Sequence, residues 1–74
     1  MLVYKIIREN DIVYVGILKH KTTHKYHFIN FTKEHICPCE FNTIQDAVND
    51  LEKYKKTGKI INYIPQKSFY ESVY

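Results

Sequence analysis

The stretch His35-Ile36-Cys37-Pro38-Cys39 holds three soft or borderline metal ligands at alternate positions. In an extended segment alternate side chains point the same way, so the three could converge on one ion, and zinc accepts all of them. A structural zinc site normally closes with two ligand pairs that each wrap the metal. Here the remaining ligand would have to come from His20, His24 or His27 on another hairpin. This spacing favours packed or idle thiols over a metal centre, and a Cys37–Cys39 disulfide would be a tight, strained ring. Neither a metal nor a cofactor is expected.

The other chemical cluster is basic. His20, His24 and His27 alternate with Lys19, Lys21 and Lys25, which makes this hairpin the most cationic spot in the chain. Such a tip can grip phosphate, or it can be a solvated turn whose charges discourage edge pairing. Catalysis finds little material. A nucleophile needs a base and an orienting group in one cleft, whereas the carboxylates lie mainly along a helix and both cysteines lie in a connector. With Gly16 and Gly58 as the two glycines, no phosphate-cradling loop can be built, so an enzyme is not expected.

The elements that would position these groups follow from periodicity. Residues 2–8, 12–20 and 25–32 are rich in β-branched and aromatic side chains and are separated by Glu9-Asn10-Asp11 and Lys21-Thr22-Thr23-His24, which predicts two hairpins in series. Turns centred on Asn10-Asp11 and Thr22-Thr23 put Tyr4, Ile6, Val13, Val15, Ile17, Tyr26 and Phe28 on one face. The other face then takes Val3, Lys5, Ile7, Tyr14, Gly16, Leu18, His27, Ile29 and Phe31. Residues 33–41 read as a connector or short edge strand, because Pro38 cannot donate to a ladder. Ile44, Ala47, Val48, Leu51 and Tyr54 recur at helical spacing, with Thr43 and Asp46 as a capping box and Gly58 at the C-terminal stop. Glu52 and Lys56 form a favourable pair four apart. A short fourth strand at 60–64, ended by Pro65, is an open alternative. The expected fold is therefore α+β: an antiparallel sheet of three or four strands with one helix on one face, in the order β-β-β-α-(β). Residues 1–64 form one domain, and 65–74 form an aromatic tail that either docks or binds a partner.

Composition bounds the rest. A chain of 74 residues buries only about 60% of its unfolded surface, so it supports one core. At 45% hydrophobic and 15% aromatic it folds rather than staying disordered. The net charge of +3 comes almost wholly from Lys, with Arg8 the lone Arg, whereas nucleic-acid readers favour dense Arg patches. The longest apolar stretch, Ile12 to Leu18, is far too short to cross a bilayer, and residues 1–5 lack the make-up of a leader. Two cysteines make no disulfide framework, which points to a reducing, cytoplasmic setting. The wealth of Lys, Ile, Asn and Tyr suits a low-GC genome, such as that of a Firmicute or one of its phages.

One helix covers one face of a sheet, so the second face, with Val3, Ile7, Tyr14, Leu18, Ile29 and Phe31, must meet something else. Phe69 and Tyr70 of the tail, a second copy, or another macromolecule would serve. The expectation is a protein-binding module, with a homodimer as one form. Its size and composition fit a phage or mobile-element protein that inhibits or modulates a host or defence protein. Three strands leading through Phe41-Asn42-Thr43 into a helix with Ala47 four residues on also resemble, over residues 2–58, the Apetala-type plant domains and the amino-terminal arm-binding domains of phage integrases. That resemblance implies a sheet laid in the DNA major groove, gripped by Lys5, Tyr14, Lys19, Lys21, Lys25 and His27. The Arg and Trp residues that read DNA in those families have no counterparts in these strands.

Overall fold

The computed structural model describes residues 2–66. Its strands are β1 (Leu2–Ile7), β2 (Ile12–Lys19), β3 (Tyr26–Asn30), β4 (His35–Ile36) and β5 (Asn62–Pro65), with α1 (Ile44–Lys56) between the last two. They form one antiparallel sheet in the order β4-β3-β2-β1-β5. The fold is α+β as expected, but with five strands instead of three or four. The connector contributes β4. The fourth-strand segment runs 62–65 rather than 60–64, with Pro65 as its last residue, paired with Tyr4. Gln66 continues the ladder by donating its N–H to the Val3 carbonyl, so the pairing passes the boundary drawn at residue 64.

Register explains why the face assignment survives. Ile17 opposite Phe28 centres the second hairpin on Thr22-Thr23, as read from the sequence. In the first hairpin Ile6 opposes Val13, which moves the turn centre to Glu9-Asn10, one residue earlier than expected. Arg8 sets this position: its N–H bonds the Asp11 carbonyl at 2.9 Å, and its guanidinium grips the Asp11 carboxylate at 2.5 and 2.6 Å. Moving the centre by one residue moves the pairing by two, and with a side-chain period of two no residue changes face. Ile6, Val13, Val15, Ile17 and Phe28 are accordingly buried beneath Ala47 and Leu51 of α1 and Ile60, with Tyr4 and Tyr26 packed alongside.

The helix forms where its caps lie. The Thr43 hydroxyl accepts the Asp46 N–H at 3.1 Å, and Asp46 sits in the first turn while Lys53, Lys55 and Lys56 crowd the last, as the helix dipole prefers. At the other end Gly58 adopts φ 81°. Its N–H reaches the Lys55 carbonyl and that of Lys59 reaches Tyr54, the paired bonds of a Schellman stop. Replacing Thr43 with Ala should cost about 1 kcal/mol in urea unfolding; a loss below about 0.3 kcal/mol would mean the cap is idle.

Both sheet edges are blunted by the two prolines of the chain. Because the Gln66 N–H points inward to β1, those of residues 63 and 65 point outward. Pro65 has no N–H there, and that of Tyr63 is occupied by the Asn62 side chain at 2.9 Å. On the opposite edge the Cys37 N–H points inward to the Phe28 carbonyl, so the outward position beyond Ile36 is Pro38. Edges built this way resist pairing with another strand.

Candidate functional site

With the helix on one side, the other broad surface is the opposite face of the sheet, whose centre at Val3 and Gly16 is buried. Of the residues expected to bind a partner, Val3 is 0% exposed, lying across from Gly16. Ile7, Tyr14, Leu18 and Ile29 are half-buried, and Phe31 is 37% exposed, its N–H carrying the ladder on to the Tyr14 carbonyl. Phe69 and Tyr70 lie outside the described residues. The pairings Ile7–Ile12, Ile29–Ile36 and Lys5–Ile64 add three isoleucines to this face, 48%, 57% and 39% exposed in the order Ile12, Ile36, Ile64. Ile12 was legible from its even spacing to Tyr14. Ile36 and Ile64 were not, because strands of two and four residues leave no measurable period.

The cations proposed to grip nucleic acid are scattered rather than gathered. Lys5 and His27 lie on the open face, opposite Tyr14 and Leu18. Lys19 is on the helix side with its ammonium 5.9 Å from the centre of the Tyr26 ring, and Lys21 is exposed in the turn. Lys25 reaches the Asn42 side-chain oxygen, just before the helix. The histidines build the turn itself: His20 Nδ1 accepts the N–H groups of Thr22 and Thr23 at 3.1 and 3.3 Å, and the His20 and His27 rings meet edge-on at 6.0 Å. Adjacent strand positions point to opposite faces, which divides a run that looks continuous in sequence.

His35, Cys37 and Cys39 do share one side, that of the helix, as their alternation predicts. The thiols pack against the core, with the Cys39 N–H directed at Cys37 Sγ at 3.4 Å. Among the described residues no group of three His, Cys, Asp or Glu side chains is arranged to hold a metal. Burial, helped by a hydrogen bond with Cys37, pushes the Cys39 thiol up to about 11, so it stays protonated where a nucleophile would need to ionise. A thiol whose folded pKa is raised stabilises the fold below its unfolded pKa, and this contribution is lost as pH rises through the folded value. In a Cys37→Ala variant, the ultraviolet absorbance of the thiolate should therefore appear near the ordinary thiol pKa when unfolded and well above it when native. Equal midpoints would contradict the burial of Cys39.

Between α1 and the sheet lies a cleft of about 180 Å³ that the sequence did not signal. Val13, Val15, Phe28 and Leu51 line its floor, and Arg8, His35 and Tyr54 stand among the residues around it. It is smaller than the roughly 300 Å³ at which ordinary ligand sites begin. Its one guanidinium is already committed to Asp11, whose carboxyl Arg8 holds below the usual carboxylate range. Burial pushes the Tyr54 phenol up, as does its hydrogen bond with Asp50. Glu52, read as a partner for Lys56, instead accepts the Tyr63 hydroxyl at 2.5 Å and pins β5 to the helix.

No family model matches the chain, and no curated protein or solved structure matches it either. Among the described residues no helix is long and apolar enough to cross a membrane.

Proposed function

We propose that this protein is a non-catalytic binding module that docks a protein partner on the sheet face away from α1. The observation that carries the reading is that Ile12 on β2, Ile36 on the β4 edge and Ile64 on the β5 edge all stand exposed on that face. Apolar side chains that stand in water are what a partner covers. The proline-blunted edges favour docking on the face over strand addition. The small, Lys-, Ile-, Asn- and Tyr-rich composition fits a cytoplasmic protein of a phage or mobile element that inhibits or modulates a host or defence protein.

The test is capture from a low-GC bacterial lysate with and without nuclease, purification of the recovered protein, and titration against this one. Ile36→Ser combined with Ile64→Ser should weaken the complex by about 2 to 3 kcal/mol, roughly 30- to 150-fold, with circular dichroism unchanged. Binding that survives the double substitution would place the interface elsewhere. Recovery abolished by nuclease would favour the DNA-binding alternative.

A further inference from the structure

We infer that the turn joining β2 to β3 is a proton-operated latch, held closed by neutral His20 and released when that imidazole takes up a proton. His20 Nδ1 accepts the backbone N–H groups of both Thr22 and Thr23, at 3.1 and 3.3 Å. An imidazole nitrogen accepts through its lone pair, so the ring carries its one N–H on Nε2. Imidazolium has an N–H at both nitrogens and no lone pair to offer. Proton and turn therefore compete for the same site. The residue is exposed, and imidazole is the side chain whose ordinary range of titration falls between about pH 5 and 8.

The rest of the turn is built around this side chain. Its backbone is closed by the His20 N–H on the Lys25 carbonyl at 2.8 Å and by the His24 N–H on the His20 carbonyl at 3.0 Å. His24 is held at φ 60°, in the left-handed region that a residue with a side chain occupies at a cost. The charged groups near the ring act in one direction. Lys21, His24 and Lys25 flank it on its own hairpin, and His27 of β3 meets it edge-on at 6.0 Å. Lys19 and Tyr26 lie on the helix side of the sheet, and the Lys25 ammonium is turned to Asn42. Residues 19–28 contain no Asp or Glu, α1 packs on the opposite side, and among the described residues no ion pair involves His20. A proton on Nδ1 removes two hydrogen bonds and adds a cation to a cluster without a carboxylate to answer it. Both effects loosen the turn.

The test is an NMR titration of the isotope-labelled full chain from about pH 8 to about pH 4. Two-bond proton–nitrogen spectra should show His20 as the Nε2–H tautomer at the alkaline end and as imidazolium at the acid end. Solvent exchange of the Thr22 and Thr23 amides, corrected for its intrinsic pH dependence, should rise about fivefold with the same midpoint as the ring. His20→Asn places an Oδ1 where Nδ1 stands, an acceptor that does not titrate, and should keep both amides protected throughout. His20→Ala should show the released exchange at every pH, while His24→Asn and His27→Gln should leave the transition in place. An Nδ1–H tautomer for neutral His20, amides that ignore the ring, or a transition that survives in His20→Asn or vanishes in His27→Gln would each overturn the latch.

Discussion

Replacing Leu51 with Ala should lower the stability of this protein by about 3 kcal/mol, the usual cost of removing a buried leucine and leaving part of its volume empty. Leu51 is 3% exposed and joins the helix to the sheet residues Ile6, Val13, Val15 and Phe28. It also borders the cleft beneath α1, so truncation enlarges an existing gap rather than opening a new one. A domain of 74 residues has only about 4 to 11 kcal/mol to lose in total. With a urea slope of about 1 kcal/mol/M, the midpoint should fall by 2 to 3 M. A fall of less than about 0.5 M would mean that α1 contributes little to the core. The contrast with Ile36→Ser and Ile64→Ser is informative, because those side chains are 57% and 39% exposed and their loss should leave the urea midpoint nearly unchanged.

The second large effect concerns association. Asn62→Ala combined with Pro65→Thr should convert β5 into an open edge, freeing the Tyr63 N–H and restoring an outward donor at position 65. Light scattering should then show an apparent mass at least twice that of the parent, rising with protein concentration. Because such pairing rests on backbone hydrogen bonds, added salt should leave it almost unaltered. The matching change Pro38→Thr should do much less, since β4 is only two residues long. A parent-like mass for the β5 variant at every concentration would show that Asn62 and Pro65 do not guard that edge.

These two experiments separate roles that the sequence intermingles. Lys19, Lys21 and Lys25 suggest a single phosphate grip, yet one stacks on Tyr26, one is exposed in the turn and one reaches Asn42. His35, Cys37 and Cys39 suggest a half-built metal site, yet the thiols pack against the core. In both cases residue spacing reveals which side chains share a face. It does not reveal what stands opposite them, and that decides whether a cation is available or a thiol can ionise.

What the sequence by itself determined is whatever depends on near neighbours: the alternation that sorts Ile6, Val13 and Phe28 from Ile7, Tyr14 and Ile29, and the helix from Thr43 to Gly58 with both of its stops. Periods of 2 and 3.6 and the chemistry of caps are local, so they can be read along the chain. Only the tertiary structure decided that β4 and β5 join the sheet, that Arg8 and Asp11 draw the first turn one residue back, that α1 leaves a cleft beside Leu51, and that Ile36 and Ile64 stand exposed. The Arg8–Asp11 contact spans three residues but follows no period; the others depend on residues distant in sequence meeting across the sheet, and pairwise geometry of that kind leaves no periodic trace in the segments that take part.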